Sequence, residues 1–322
     1  MSIFRSSVLV ICILAIGGSL SLVLPEYHLR LLNLAVISAV SVVGLNIAFG
    51  YTGLISLGHA AFVGLGAYVL AILTTRSGVS PWLAMPAAIA VAVVFAMVIG
   101  LPLLRLKGHY LALATLGLNV SFVIITSNWL DLTGGTNGIS RIPPFEVLSY
   151  PLTSERGFLW LALLSLAIVV LLASFLHHSR YGRALIAVRD DELASEMTGL
   201  DTPRLKLLAF TLSAACAALA GCLFACHVRF ISPEDFSYTN SITYLAMLIV
   251  GGESSIGGAI LGAVLLTFLP EWLRFLGNAY LALFGILVFV VLVFLPSGIM
   301  GLRSFFRLPS RAPVAKPAEA KS

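Results

Sequence analysis

Residues 44–73 read GLNIAFGYTGLISLGHAAFVGLGAYVLAIL, and residues 245–269 read LAMLIVGGESSIGGAILGAVLLTFL. The first run contains no Asp, Glu, Lys or Arg, and the second contains a single charged residue, Glu253. Since about 20 consecutive apolar residues cross the hydrocarbon core of a bilayer as a helix, runs of this length predict membrane-spanning helices. Both runs are interrupted by glycines, and each has a Ser-x-Gly step, at 56–58 and at 255–257. The pair therefore predicts two glycine-interrupted helices and indicates a weak internal repeat.

The composition of the whole chain is that of a membrane protein. Of its 322 residues, 59% are hydrophobic and only 10% are charged, whereas about 25% of the residues of a soluble domain are charged. The mean hydropathy is +1.04. Because the apolar runs are continuous and do not alternate with polar residues, they predict helices and not the strands of a transmembrane barrel. The chain is thus expected to be an all-α integral membrane protein.

Apolar runs follow one another along nearly the whole chain, with short breaks between them. Runs that are long enough to span a bilayer, or nearly so, lie at about 7–24, 29–50, 54–74, 82–104, 109–128, 157–176, 207–227, 256–274 and 279–296. A shorter apolar piece, at about 241–252, is a candidate half-helix. If this piece also crosses, the fold is a polytopic helical bundle of about ten transmembrane segments.

The distribution of Lys and Arg predicts the orientation, because positively charged loops remain in the cytoplasm. With ten crossings, thirteen of the 19 Lys and Arg residues fall on the side that holds both termini, so both termini are expected in the cytoplasm. If the piece at 241–252 re-enters instead, the tail and its five positive charges would lie outside, which the same rule disfavours. We expect a transmembrane domain over residues 1–302 and a basic, disordered cytoplasmic tail over residues 303–322.

The longest cytoplasmic loop of this topology, about residues 177–206, reads HHSRYGRALIAVRDDELASEMTGLDTPRLK. Asp190 or Asp191 can cap a short helix with an acidic first turn, and Gly199 can end that helix in a left-handed conformation. Its apolar face would comprise Leu193, Met197 and Leu200. The loop is either a solvated connector or a docking surface for a cytoplasmic motor.

The interrupted helices are candidates for lining a path for a solute, because unwound backbone in a membrane is tolerated only inside protein or along a wet cavity. For His59, a helix cap or an interhelical hydrogen bond is a better interpretation than a ligand site. Close helix packing through small residues is the alternative explanation for many of the glycines. The candidate path comprises Gly50, Thr52, Gly53, Ser56, Gly58, His59, Gly251, Gly252, Ser254, Ser255 and Gly257.

A turn-rich cluster lies in an expected extracytoplasmic loop. It could form a folded mouth of the path or a flexible connector. Its members are Thr133, Gly134, Gly135, Thr136 and Asn137.

Nothing in the sequence indicates an energy source within the chain. Acidic residues are absent from residues 27–130, whereas ion-coupled carriers usually place carboxylates in the membrane. The sequence contains no Gly-x4-Gly-Lys-[Ser/Thr] loop to hold a nucleotide. If transport is active, its energy must come from a partner. A passive channel or an ion-coupled carrier is the alternative.

Catalytic and metal-binding chemistry also find little support. The four cysteines show no metal-ligand spacing, so no metal site is expected. An intramembrane hydrolase using Ser254 or Ser255 with His59 is the alternative from the enzyme class, but no strand-elbow or metal motif accompanies the serines. The net charge of +5 follows from the positive cytoplasmic loops and tail and requires no nucleic-acid partner.

Five blocks along the chain carry a family resemblance. They are GYTGLISLGHAAFVGLGAY (50–68), LTGGTNGIS (132–140), YGRALIAVRDDELASEMTGL (181–200), SPEDF (232–236) and LAMLIVGGESSIGGAILGA (245–263). Together they resemble the membrane permease subunits of branched-chain amino-acid ABC importers, and within this family the LivM-like branch more than the LivH-like branch. The resemblance extends over about residues 29–300.

The resemblance implies a permease subunit of the bacterial inner membrane that is not itself an enzyme and binds no cofactor. It implies a pore formed with a second homologous permease, two cytoplasmic P-loop ATPases that bind ATP and Mg²⁺, and an extracytoplasmic protein that delivers the substrate. Branched-chain or related amino acids would be the cargo, with urea or short amides as the alternative. The ATPase-coupling helix would comprise Tyr181, Gly182, Arg183, Arg189, Asp190, Asp191, Glu192, Leu193, Met197 and Gly199.

Overall fold

The computed structural model describes residues 3–147 and 150–274, together with 285, 286, 289 and 298–300. Within these residues the fold is helical, with a few two-residue strands. The α-helices are α1 Ile3–Val23, α2 Glu26–Thr52, α3 His59–Arg76, α4 Pro81–Leu103, α5 His109–Asn128, α6 Leu130–Thr133, α7 Glu155–His178, α8 Arg180–Asp190, α9 Glu192–Met197, α10 Thr202–Val228, α11 Tyr238–Gly251 and α12 Ile256–Trp272. The strands are β1 Ile139–Ser140, β2 Glu146–Val147, β3 Tyr150–Pro151 and β4 Phe230–Ile231, and 3-10 turns lie at Gly135–Asn137 and Pro233–Phe236.

Six helices in the described ranges are long and apolar enough to cross a bilayer, namely α2, α3, α4, α5, α7 and α10. Shorter apolar stretches occupy Val10–Val23 and Ile256–Trp272. Eight of the nine apolar runs read from the sequence coincide with described helices, and the ninth, at 279–296, lies outside the described residues except for 285, 286 and 289. The chain is therefore a multi-pass helical membrane protein, while the number of crossings stays a prediction.

Helices α2 and α10 form the centre of the bundle, and α3, α4, α7 and α12 pack around them. Small residues let the backbones approach. A Cβ at Gly66 would overlap the backbone of Ala218, and one at Gly221 would overlap the carbonyl oxygen of Val63. Cys222 lies in the same contact, with its Sγ 3.5 Å from the carbonyl oxygen of Gly66. Close packing of small residues thus holds α3 against α10, as is usual where lipid provides no hydrophobic drive.

Helix α4 shows how a peripheral helix attaches to this centre. Apart from Pro81 in its first turn, its buried positions recur every four residues and are all small, whereas larger apolar side chains such as Leu83, Val94 and Val98 are exposed. A stripe with this spacing lies along one side of a helix, so α4 contacts the bundle mainly through small side chains. Phe95 adds an edge-on ring contact with Phe62 of α3. The stripe comprises Ala84, Ala88, Ala92, Ala96 and Gly100.

One end of the bundle, called the β1–β4 end, is joined by short strands. Ile139 pairs with Ile231, and Ser140 pairs with Phe230, in an antiparallel register. This pairing connects the loop after α6 to the loop after α10. The opposite end of the bundle carries α8 and α9 and is called the α8–α9 end.

Candidate functional site: two helix breaks and the helices beside them

The first break separates α2 from α3. Helix α2 ends at Thr52, and Gly53, with φ 70°, directs its N–H to the carbonyl oxygens of Ala48 and Phe49. Glycine reaches this left-handed conformation without strain, which makes it a common residue at the end of a helix. Residues 54–58 are not helical, so the span expected to begin at residue 54 begins only at His59.

The chain turns back along α2 within this break. Nε2 of His59 lies 3.0 Å from the carbonyl oxygen of Ser41 in α2. Because Ser41 precedes Thr52 by eleven residues and an α-helix rises about 1.5 Å per residue, His59 lies about 16 Å from the end of α2 along the helix axis. Helix α3 therefore begins inside the bundle and not at the end of α2.

His59 and the first turn of α3 bond to protein groups. His59 is 2% exposed, and its ring packs edge-on against Tyr244. The backbone N–H of Ala60 donates to Oγ of Ser241, at 2.9 Å. The hydrogen bond from His59 to α2 agrees with the interhelical interpretation that the sequence favoured. The orphan N–H groups at a helix start need such partners when water is excluded.

A hydroxyl from α5 accepts a backbone hydrogen bond from the residues just before α3. The N–H of Leu57 donates to Oγ1 of Thr115, at 3.0 Å. Gly58 lies against the backbone of the same residue, because a Cβ at Gly58 would come 2.7 Å from the Thr115 carbonyl oxygen. The start of α3 is thus enclosed by α2, α5 and α11.

The second break lies between α11 and α12. Two residues in it have positive φ, Gly252 at 116° and Ser254 at 63°. Ser255 caps α12, since its Oγ accepts the N–H of Gly258 at 3.2 Å. Glu253, the acid in the apolar run, is exposed on this turn. It is therefore a residue of the turn and not a carboxylate buried in the bundle.

The two helices flanking this break lie in close contact. A Cβ at Gly262 would overlap the carbonyl oxygen of Met247, and a Cβ at Gly258 would come 2.6 Å from that of Gly251. The packing interpretation therefore accounts for these glycines.

The two breaks meet at the α8–α9 end. The N–H of Ser254 donates to Oδ1 of Asn46, at 2.9 Å, and its Oγ donates to the carbonyl oxygen of Gly50, at 2.7 Å. Gly50 leaves no room for a side chain, since a Cβ there would lie 2.8 Å from the backbone nitrogen of Ser254. The end of α2 is thus bonded directly to the turn between α11 and α12.

Arg189, near the end of α8, joins this contact. Its Nη1 donates to the carbonyl oxygen of Gly50, at 2.7 Å, and also to Oγ of Ser254. Its Nε and Nη2 donate to Oδ1 of Asp190, at 3.3 and 3.1 Å. One guanidinium therefore bonds α8 to both breaks. We call Asn46, Gly50, Arg189 and Ser254 the Arg189 latch.

A second polar cluster connects α9 to the rest of this end. Oε1 of Glu192 lies 2.7 Å from Nζ of Lys206 and 3.6 Å from Nζ of Lys107. The Lys206 side chain is only 9% exposed. Burial raises the pKa of Glu192, but the hydrogen bond and charge of Lys206, assisted by Lys107, outweigh burial and hold that pKa below its ordinary value.

A cavity of about 230 Å³ lies where the first break meets these helices. Its lining includes Gly53 and Leu54 from the break, together with Lys107, Arg189 and Glu192. The latch and the Glu192 cluster therefore border one polar space.

The expected coupling helix is two helices. Asp191 caps α9, with Oδ1 accepting the N–H of Ala194 at 3.0 Å, and Gly199 has φ 85°, as the sequence predicts. The expectation of one helix starting at Asp190 or Asp191 missed α8, which Ser179 caps by accepting the N–H of Gly182 at 3.0 Å. A Ser before an amphipathic stretch is a recognisable start signal, and Ser179 provides it.

Large apolar side chains on α8 and α9 point away from the bundle. Tyr181 is 60% exposed, Leu193 63% and Met197 82%. Arg183 and Asp190 are exposed at the same end. In this chain nothing in the described residues covers that apolar surface, which we call the α8–α9 face.

At the β1–β4 end, the turn-rich cluster is folded. Oγ1 of Thr133 donates to the carbonyl oxygens of Thr126 and Trp129, at 2.6 and 2.7 Å. Gly134 ends α6 with φ 77°, and the next three residues form a 3-10 turn that exposes Thr136 and Asn137. Of the two interpretations of this loop, the structure favours a folded element over a flexible connector.

A polar cluster near the same end was missed by sequence analysis: the side chains of Asn33 and His227 are buried, and that of Glu155 is partly exposed. Oε2 of Glu155 lies 3.6 Å from Nε2 of His227 and accepts a hydrogen bond from Nδ2 of Asn33, at 2.8 Å. An Asn inside an apolar run was the available signal, because polar groups within a membrane helix require partners.

The serines of the second break are not arranged for nucleophilic catalysis. The hydroxyl of Ser254 bonds to Gly50 and Arg189, and that of Ser255 accepts a backbone N–H of α12. His59 bonds to α2 instead. A nucleophile must lie within hydrogen-bond reach of its base, and neither serine is paired with His59 in this structure.

These features define a multi-pass membrane protein in which two helix breaks adjoin a pair of surface helices. The family described as "Branched-chain amino acid transport system / permease component" matches residues 27–296, and this chain belongs to that family. The relatives in the comparisons are named as transport permease proteins and not as enzymes.

Several curated relatives align over most of the chain. It is 35% identical over 280 residues to the high-affinity branched-chain amino acid transport system permease protein LivM of Escherichia coli, covering 80% of this chain and 66% of the relative. Identity to LivH of the same organism is 27% over 291 residues, covering 82% and 91%. The autoinducer 2 import system permease protein LsrC of Yersinia enterocolitica is 30% identical over 304 residues, covering 88% and 73%.

The chain thus spans 66% of the length of the LivM relative. No solved structure matched it.

Proposed function

We propose that this chain is the membrane-spanning permease subunit of an ATP-driven importer for branched-chain or related amino acids. The observation that carries the proposal is the α8–α9 face, an exposed apolar surface bonded through Arg189 to both helix breaks. A partner seated on that face could move the breaks directly. The family membership and the relatives named as branched-chain amino acid permeases support the cargo.

The partners we propose are two cytoplasmic P-loop ATPases, a second homologous permease and an extracytoplasmic binding protein. The ATPases would dock on the α8–α9 face and would bind the ATP and Mg²⁺. The exposed sides of α4 and α5 supply apolar surface for the second permease or for lipid. The folded turn with Thr136 and Asn137 lies at the end where the binding protein would arrive.

The α8–α9 end would then be cytoplasmic, with both termini on that side of a bacterial inner membrane. This orientation agrees with the excess of Lys and Arg there, which includes Lys107, Arg183 and Lys206. The proposal also includes about ten crossings, with the interrupted helices forming a weak repeat. It assigns a transmembrane domain to 1–302 and a disordered basic tail to 303–322.

The start of α3 is the proposed point of solute passage. The hydroxyl and carbonyl groups around it are those of Ser41, Thr115 and Ser241, which in this structure bond to the residues at the start of α3. A zwitterionic amino acid can be met by such neutral dipoles at helix ends, without charged side chains. The LsrC relative is named as a permease of an autoinducer 2 import system, so cargo differs among the relatives. Urea or a short amide is the alternative cargo for this chain.

The experiment that tests this function is purification of the tagged chain in mild detergent, followed by mass spectrometry of the proteins that accompany it. We expect a second permease and P-loop ATPases, and we expect both ATPases to be lost when residues 181–200 are scrambled. Reconstituted complexes should take up radiolabelled leucine only when ATP is present on the side of the membrane that carries the ATPases. Uptake by the chain alone would identify a passive channel or an ion-coupled carrier and refute the proposal.

A further inference from the structure

The Arg189 latch places one side chain against two breaks that are 204 residues apart in the sequence. Gly50 and Ser254 already bond to each other, and Arg189 adds a donor to both of them. Arg189 belongs to α8, a helix that contributes to neither break. A movement of α8 would therefore change the hydrogen bonds of one guanidinium to both breaks.

The end of α2 makes the carbonyl of Gly50 a suitable acceptor. The last four carbonyls of a helix lack helical donors and carry a partial negative charge. The N–H of Leu54, which would continue the helix by bonding to Gly50, turns to the carbonyl of Ala48 instead, at 3.1 Å. A guanidinium at this position satisfies the free carbonyl and complements the helix dipole.

The backbone conformation of Ser254 depends on the hydrogen bonds that it makes within the latch. Ser254 is a non-glycine residue at φ 63°, a conformation that persists only when its surroundings enforce it. Three hydrogen bonds do so: its N–H donates to Asn46, its Oγ donates to Gly50, and the same Oγ accepts from Arg189. Withdrawal of Arg189 removes one of these bonds and leaves the turn less constrained.

Arg189 has an alternative partner in Asp190. The Arg189 side chain is 31% exposed and that of Asp190 is 64% exposed, with 3.1 Å between Nη2 and Oδ1. The Asp190 carboxylate can hold the guanidinium when α8 shifts, so release from Gly50 does not leave an unpaired charge. The Glu192 cluster is separate, because it attaches α9 to α10 and not to either break.

We propose that Arg189 is a positioning residue that couples the α8–α9 segment to both breaks at once. In the structure described here the bonds to Gly50 and Ser254 hold the two breaks together. Displacement of α8 by a docked partner withdraws Arg189 from both breaks in one step and leaves them joined only by the bonds of Ser254 to Asn46 and Gly50. This inference rests on the proposed function, because it assigns the route by which the ATPase partner acts on the path.

The first test compares variants in the reconstituted importer, with leucine uptake and ATP hydrolysis measured in the same vesicles. Arg189→Met, which keeps the length of the side chain but cannot donate, should lower uptake per ATP about tenfold while hydrolysis continues. Arg189→Lys should recover most of the ratio, because one ammonium can donate to both acceptors. Arg204→Gln is the matched control, since Arg204 is an exposed arginine that pairs with Asp201 at 3.0 Å. It should leave the ratio unchanged.

A double-variant cycle adds a readout that general destabilisation would not reproduce. Ser254→Ala alone should lower uptake per ATP, and Ser254→Ala combined with Arg189→Met should lower it by less than the product of the two single losses, because the two side chains share one hydrogen bond. Losses that multiply in the double variant would overturn the inference.

A second measurement is independent of ATP. Leu54, 5% exposed and at the cavity wall, is replaced by cysteine in a chain whose four native cysteines are alanine. Labelling by a membrane-impermeant maleimide should be severalfold faster with Arg189→Met than with Arg204→Gln. Equal rates would overturn the latch.

The two proposals fail in distinguishable ways. ATP-driven uptake that is indifferent to Arg189, with equal labelling at position 54, overturns the latch and leaves the proposed function intact. Absence of ATP-driven uptake by the unmodified complex overturns the proposed function. The labelling rates at position 54 then remain as the only test of the inference about Arg189.

Discussion

Replacing Glu192 with glutamine removes the negative charge between Lys206 and Lys107 while preserving the shape of the side chain. Lys206 is the sensitive partner, because its side chain is 9% exposed and its Nζ lies 2.7 Å from Oε1 of Glu192. A hydrogen bond to a charged group contributes about 1.5–3 kcal/mol, and leaving the other charge buried adds to the loss. Since the Glu192 side chain is 28% exposed, we expect a destabilisation of about 1.5–3 kcal/mol and not more.

The assay is the thermal unfolding midpoint of the purified chain in mild detergent. Asp201→Asn is the control, because it removes the carboxylate of an exposed pair with Arg204, for which about 0–1 kcal/mol is expected. Glu192→Gln combined with Lys206→Met should be less destabilised than Glu192→Gln alone, since no uncompensated charge remains. A midpoint for Glu192→Gln equal to that of the control would refute the reasoning.

The same cluster predicts a pH dependence. The pKa of Glu192 is lowered in the folded chain, so the folded state favours the ionised carboxylate more than the unfolded state does. The stabilisation is therefore complete above the ordinary value of 4.5 and is lost as pH falls below 4.5 through the lowered pKa. The difference in unfolding midpoint between the unmodified chain and Glu192→Gln should shrink over that acid range. A constant difference would contradict this assignment.

Three further predictions concern packing, docking and the start of α3. Gly262→Ala should lower the unfolding midpoint strongly, since its Cβ would overlap the backbone of α11, whereas Gly117→Ala, with open space around it, should not. Leu193→Asp should reduce recovery of the ATPases in the detergent purification without changing the unfolding midpoint, because the side chain is 63% exposed; normal recovery would favour a solvated connector. Ser241→Ala should destabilise the chain by about 1–3 kcal/mol, measured by the same unfolding assay, because the buried N–H of Ala60 loses its acceptor; an unchanged midpoint would show that another group replaces the hydroxyl.

The transmembrane helices were predictable from the sequence because their signal is local. An apolar run of sufficient length must be helical in lipid, so α4 and α5 follow from runs 82–104 and 109–128 almost residue for residue. The cap at Asp191 and the stop at Gly199 are local signals in the same sense.

The start of α3 could not be placed in this way. Residues 54–58 are as apolar as the helix that follows, and hydropathy alone extends the span to residue 54. The cause of their non-helical backbone is tertiary, because Thr115 and Ser241, from distant helices, bond to the backbone on either side of Gly58. The latch was equally hidden, because Asn46, Arg189 and Ser254 are brought together only by the fold.

The pairing of β1 with β4 restricts which parts of this chain can shift relative to one another. Ile139 and Ser140, in the connection between α5 and α7, are bonded to the residues that join α10 to α11. Helices from both halves of the sequence are thus tied together at that end. If these helices tilt as rigid bodies, the pivot lies at the paired strands β1 and β4. A given change in tilt angle then displaces the opposite end most, and Arg189 bonds to the end of α2 there.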